Sequence, residues 1–148
     1  MNQYGNLLAS GTGKHNMNQF YIQVAFSIIL IFAGLFLELW TTEALFGIIV
    51  FFAIIDILTF FWYFPRARTN INVYENGITG RGMTGILSGK DFSLSYDEVS
   101  SVAPGSKRVD VYAKSNKKFT PHAANSEQIQ TIITERLMAR DSVASSQE

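Results

Sequence analysis

Two stretches of the chain are apolar all the way round a helix, with no single apolar stripe. Phe20 to Trp40 reads FYIQVAFSIILIFAGLFLELW, and Leu45 to Phe64 reads LFGIIVFFAIIDILTFFWYF. At about 1.5 Å per residue the first is about 31 Å long, close to the roughly 30 Å hydrocarbon core of a bilayer. The sequence therefore predicts two transmembrane helices, 20–40 and 45–64. The short Thr41–Ala44 link folds them into an antiparallel hairpin. A cleaved leader is not expected, because the apolar run is long and Leu39, Trp40 and Thr41 come after it without a small-x-small site.

Beyond the hairpin the period changes from helical to alternating. Pro65–Asn70 reads as a linker, which at about 3.3–3.6 Å per residue holds the next domain within about 20 Å of the membrane. Ile71–Tyr74 and Ile78–Met83 read as strands joined at Asn76-Gly77, a pair that tolerates the positive φ of a tight hairpin turn. Phe92–Tyr96, Val99–Val102, Val109–Ala113 and Lys118–Pro121 continue the strand pattern, with the proline marking an edge. A helix begins at Asn125, with Gln128 as its capping-box partner, and sets Ile129, Ile132, Ile133, Arg136 and Leu137 on one face. Residues 1–19, rich in Asn, Gln, Gly and Ser, and the polar end from Asp141 are expected to be disordered.

Charge sharpens the division. From Asn16 to Phe64 there is no Lys or Arg, and only Glu38, Glu43 and Asp56 are charged. Lys14 and His15 precede the first helix, Arg66 and Arg68 come after the second, and the connecting loop carries only acids. The positive-inside rule then places both termini in the cytoplasm. Phe20, Tyr21, Trp62 and Tyr63 mark the inner interface and Trp40 the outer one. The expected location is the inner (cytoplasmic) membrane, crossed twice.

Asp56 is the exception within the hairpin, since a charge at that depth costs at least about 2.5–3.5 kcal/mol. With the turn centred near Thr41 and Thr42, Asp56 falls at the depth of Ser27. Gln23, Ser27, Asp56 and Thr59 are then expected to form one polar seam, either packing glue for the hairpin or a homo-oligomer, or a relay.

Little else carries chemistry. The chain has no cysteine, so disulfides and thiolate sites are excluded, and a formal net charge of zero leaves no nucleic-acid footprint. Gly11-Thr12-Gly13-Lys14 lacks the first glycine and the Ser/Thr of a phosphate loop. Gly80-Arg81-Gly82-Met83-Thr84-Gly85 fits a dinucleotide fingerprint in letters, but no helix comes after it. His15 and His122 are isolated, so no metal site is expected. Asp97 and Glu98 are adjacent at a bend before the next strand and read as a solvated turn, since sequence neighbours point apart and make poor acid–base partners. No catalytic residue and no cofactor is expected. Seven basic residues, Arg66, Arg68, Lys107, Arg108, Lys114, Lys117 and Lys118, can face anionic lipid, each worth about 1 kcal/mol near a charged leaflet.

The hairpin at Ile71–Ile78, the Phe92–Val102 segment, the Val109–Lys118 hairpin and the closing helix at Asn125–Leu137 resemble the bacterial pleckstrin-homology-like (PH-like) domains of small two-helix membrane proteins. The resemblance spans roughly 69–140. It implies an α+β, mostly β domain over 71–140: a partial barrel of five or six short antiparallel strands, where such folds usually have seven, capped by a C-terminal helix. It also implies scaffolding and, in some members, lipid-headgroup binding. The expected function is thus non-enzymatic: a membrane-anchored domain that binds membrane lipids, a protein partner or a second copy. The alternative is an oligomeric channel or transporter subunit that uses Asp56.

Overall fold

The structure, a computed structural model, describes residues 3–39 and 41–145. The chain divides into two compact units: Asn16–Phe64, and the segments on either side of it together.

The first unit holds all but the outermost residues of two helices, α1 (His15–Phe36) and α2 (Thr42–Ala67), both long and apolar enough to cross a membrane; His15 and Pro65–Ala67 belong to the second unit. Ser27 and Gly34 of α1 are buried, and Phe20, Gln23, Val24, Leu30 and Ile31 are half-buried. On α2 the half-buried positions are Leu45, Ile48, Phe52, Ile55, Asp56, Thr59, Phe60 and Tyr63. Steps of three and four keep each set on one seam. Phe20 meets Phe60 edge-on at 5.5 Å. The remaining apolar side chains, such as Ile22, Phe26, Phe32, Phe51, Ile54 and Phe61, are exposed.

The connection between the helices is set by caps. Glu38 takes a left-handed conformation (φ 52°), the Leu39 amide reaches the Gly34 carbonyl (2.9 Å) and the Glu38 amide reaches Leu35 (3.1 Å). This paired closure is the usual left-handed helix stop. Thr41 Oγ1 accepts the Ala44 amide (3.2 Å) and caps α2. The connection therefore precedes Thr42 and does not extend to Ala44. Trp40, the expected outer anchor, lies outside the described residues.

The second unit has seven strands and a helix among its described residues. Strands β1 (Leu7–Thr12), β2 (Asn70–Tyr74), β3 (Gly77–Met83) and β4 (Gly89–Ser95) form one antiparallel sheet in that order. Strands β5 (Val99–Gly105), β6 (Arg108–Ala113) and β7 (Lys118–Phe119) form the other. The sheets join at one corner, where Met83 and Thr120 exchange both main-chain hydrogen bonds (3.0 and 2.9 Å). Helix α3 (Ser126–Ser145) packs against β5, β1 and β6 and buries Ile129, Ile133 and Leu137 in one core with Ile71, Val73, Val99, Val109 and Val111. The Tyr96 hydroxyl donates to the Tyr74 carbonyl (2.8 Å), and burial pushes its pKa up to about 12, so it stays a donor.

Several expectations for this region are corrected. The segment expected as an unstructured tail contributes β1, an edge strand paired with β2 from Leu7↔Tyr74 to Thr12↔Asn70. The helical pair is thus inserted between two neighbouring strands. The strand count rises to seven because the seventh comes from before the hairpin. The expected linker 65–70 is absent as such: α2 runs through Pro65 to Ala67, and β2 begins at Asn70. The C-terminal segment is helical through Ser145. Asn125 uses its side-chain amide to hold the Ser10 carbonyl (3.1 Å), tying β1 to the start of α3.

The two glycine motifs have packing roles. A Cβ on Gly11 would lie 2.5 Å from Ala123 Cβ and 2.7 Å from Ile129 Cδ1, and one on Gly13 would lie 2.0 Å from the Arg66 carbonyl. Gly80 lies against the Asn70 carbonyl, and Gly82 against Phe119 and Thr120 at the sheet corner. Gly11→Val is therefore expected to lift β1 from α3 and destabilise the β-rich unit by about 1–3 kcal/mol, the usual cost of overpacking. Hydrogen-exchange protection of β2 in the full chain would measure it, and an unchanged protection pattern would refute the role given to β1.

Candidate functional site

Strand alternation places the polar side chains of two neighbouring segments on one surface. Along β6, Val109, Val111 and Ala113 are buried in the core, so Arg108 and Asp110 turn to the other face. Along Lys118–Ala123, Phe119, Pro121 and Ala123 turn inward, leaving Lys118, Thr120 and His122 on the same outer face. The bridge Arg108↔His122 aligns the two rows.

These residues form part of the wall of a cleft of about 330 Å³. Arg66, Arg108, Lys118 and His122 supply its charged and titratable groups, and Met83, Thr84, Gly85, Ile86 and Thr120 complete it. No carboxylate is among the described residues that line it. Asp110 lies beside it, buried, with Oδ2 2.8 Å from Lys118 Nζ, and Oδ1 2.9 Å from Thr120 Oγ1 and 3.9 Å from Arg108 Nε. Burial favours the neutral acid, but hydrogen bonds from Lys118 and Thr120, with the fields of Lys118 and Arg108, outweigh it and hold the Asp110 carboxyl below its usual range. Bonding to Asp110 holds the Lys118 ammonium above its ordinary value.

His122 is pushed down to about 4, first by burial and then by Arg66, Arg108 and His15, with Asp110 opposing. The imidazole is therefore neutral at pH 7. Its main-chain amide donates to Thr69 Oγ1 (2.9 Å), and the Thr69 hydroxyl donates to the Arg66 carbonyl (2.7 Å). Thr69, 2% exposed, thus fixes Arg66 and His122 against each other. Among the described residues the wall presents three cations, with the Asp110 carboxylate beside them already engaged by Lys118 and Thr120. Such a surface attracts an anion and offers ammonium and guanidinium donors to its oxygens.

Of the seven basic residues expected to face a partner, Arg66, Arg108 and Lys118 converge here. Lys117 lines an adjoining recess with Lys90 and Asp91. Lys107 lines another near the start of α3. Arg68 and Lys114 are not part of the cleft wall. Asp110, Thr120 and His122 went unrecognised as site residues, although the alternation of Lys118, Thr120 and His122 with Phe119, Pro121 and Ala123 is the signal that finds them.

In the hairpin, the Ser27 hydroxyl, 1% exposed, lies 3.1 Å from Asp56 Oδ1 and 3.2 Å from the Gln23 carbonyl, so one proton serves two acceptors. Gln23 enters through its main chain. Thr59 is directed to its own helix, donating to the Ile55 and Asp56 carbonyls (both 3.0 Å). The seam is therefore a Ser27–Asp56 pair with helical back-bonding on either side.

Comparison with models of protein families, with curated proteins and with solved structures finds no match to this chain.

Two outcomes are expected. Because the unfolded imidazole takes its proton near 6.5 and the folded one near 4, stability should fall as pH drops through that window, by at most about 1.4 kcal/mol per pH unit. His122→Gln should remove that slope in acid titrations monitored by amide exchange, whereas the contribution of Asp110 is lost only below the ordinary carboxylate range, so Asp110→Asn should cost about 1–3 kcal/mol at pH 7 and flatten the lower limb alone. In the hairpin, Asp56→Asn keeps an acceptor for Ser27 and should unfold in micelles like the parent, whereas Ser27→Ala should cost about 0.6 kcal/mol by circular dichroism.

Proposed function

We propose that the chain is a non-enzymatic, membrane-anchored protein. In this reading the hairpin spans the inner (cytoplasmic) membrane, and a PH-like domain on the cytoplasmic side offers its basic cleft to anionic groups, those of lipid headgroups or of a protein partner. The observation that carries it is the convergence of Arg66, Arg108 and Lys118 on one cleft whose described walls hold no carboxylate. Arg66 is separated from Phe64, the end of the apolar stretch, by Pro65 alone.

Other observations support the parts of this reading. The exposed apolar side chains around both helices suit hydrocarbon, where every main-chain group is satisfied within the helix. The pairing of β1 with β2 keeps the segments on either side of the hairpin in one folded unit, so a spanning hairpin leaves both on one side of the bilayer. The excess of basic residues outside the hairpin supports a cytoplasmic position for that side. Seven strands in sheets of four and three, closed by a C-terminal helix, suit the expected PH-like plan.

The Ser27–Asp56 bond, closed within one hairpin, favours packing over a relay. A change in proton or ion flux in Asp56→Asn proteoliposomes would reverse that preference. The topology is tested by protease shaving of sealed, right-side-out vesicles. Segments 7–12 and 70–145 should both survive external protease and both be cleaved when the vesicles are inverted. Cleavage from outside would overturn the orientation, and cleavage of one segment without the other would overturn the shared domain.

A further inference from the structure

The loop between β3 and β4 is closed on itself. The Thr84 amide donates to the Ser88 carbonyl (2.9 Å), and the two hydroxyls lie 3.3 Å apart. Closure thrusts out the residues between them: Ile86 is 70% exposed and Leu87 59%. Two aliphatic side chains at the tip of a loop are costly in water and gain about 1.5–3 kcal/mol each on full burial. No described residue of the β-rich unit covers them. Thr84, Gly85 and Ile86 are also walls of the cleft that holds Arg66, Arg108 and Lys118. An aliphatic tip and a cationic cleft therefore share one edge of the domain, and Arg66 of that edge lies two residues beyond the apolar stretch of α2.

We infer that this edge is an interfacial docking device. Ile86 and Leu87 seat in the headgroup–acyl boundary of the bilayer that the hairpin spans, and the phosphate of an anionic phospholipid occupies the cleft between Arg66, Arg108 and Lys118. This inference rests on the membrane-anchored reading and adds to it a particular loop, a particular ligand and a particular depth. The chemistry is that of interfacial binding: a few aliphatic side chains buried about 5–10 Å deep beside basic residues that neutralise the phosphates. The occupant is a lipid because a soluble phosphate would leave Ile86 and Leu87 in water, and because Arg66 is tied to the end of a spanning segment by a single residue. Asp110 limits the affinity, since it already engages Lys118 and lies near Arg108.

The chain has no cysteine, so single reporter thiols can be placed in the full-length protein. Leu87→Cys carrying a polarity-sensitive dye is compared with Asp97→Cys, an exposed position beyond the far end of β4. Both are reconstituted in nanodiscs of phosphatidylcholine, with and without phosphatidylglycerol. The dye at residue 87 should shift to the blue and be quenched by lipids spin-labelled at a shallow acyl position, more strongly with phosphatidylglycerol, while the dye at residue 97 should respond in neither.

Phosphatidylglycerol retained on purification from mixed discs gives the second arm. Arg108→Gln should lower its enrichment about fivefold, the worth of one cation near a charged surface. Asp110→Asn should raise enrichment while lowering stability, a combination that a purely structural role does not produce. Inorganic phosphate should not displace the retained lipid. A water-exposed dye at residue 87 with enrichment intact would overturn the insertion and leave the anionic-lipid reading standing. Displacement by inorganic phosphate would overturn the lipid as occupant. Release of the protein from liposomes by alkaline carbonate would overturn the anchored reading itself.

Discussion

The antiparallel pairing of β1 with β2 is the constraint on which the rest depends. It brings together segments separated in sequence by the whole helical hairpin, from Leu7↔Tyr74 to Thr12↔Asn70, and continues past the strand ends where the Gly13 amide meets the Thr69 carbonyl at 2.8 Å. Thr69 then spends its side chain on both sides, donating to Arg66 and accepting from His122. The hydroxyl of this buried residue is used as both donor and acceptor, as a site away from water requires. The two ends of the helical insertion are thereby clamped at one place, and the same clamp sets two walls of the basic cleft.

The clamp explains features that otherwise look like failed motifs. Gly11 and Gly13 match part of a phosphate loop, yet each is where another backbone or side chain comes too close for a Cβ. Gly80 and Gly82 match part of a dinucleotide fingerprint, and they serve the sheet and the corner between the sheets. In both segments the letters reflect close approach, and no ligand is needed to account for them. The basic residues divide in the opposite way. Spread along the sequence they look like an ordinary solvated face, but Arg108 and Lys118 meet because β6 and the 118–123 segment run side by side with the same alternation, and Thr69 ties Arg66 to His122 beside them.

The hairpin and the β-rich unit obey opposite packing logics. The β-rich unit buries Ile, Val and Phe in a core and turns charge outward. The hairpin buries Ser27 and Gly34 and turns Phe, Ile and Leu outward. Small residues at a helix seam are what association in hydrocarbon selects, because the apolar side chains gain nothing from leaving lipid. In the loop bearing Ile86 and Leu87 the β-rich unit adopts the hairpin's rule.

The sequence alone determined the elements whose signals are local: two helices from long apolar runs, six of the strands and the Asn76-Gly77 turn from strand pattern, and the α3 face from Ile129, Ile133 and Leu137. It also determined the depth match of Ser27 with Asp56, because a tight hairpin makes depth a matter of counting from the turn. Tertiary structure alone decided the rest. Strand β1 carries little apolar signal, since Ala9 and Gly11 are the small residues it sets against the core, and its partner lies beyond the whole hairpin. The cleft needed the pairing of β6 with the segment after β7, and the clamp at Thr69, before Arg66, Arg108, Lys118 and His122 could be neighbours. Period and propensity act over a few residues, whereas a site built across an insertion depends on contacts that no local pattern encodes.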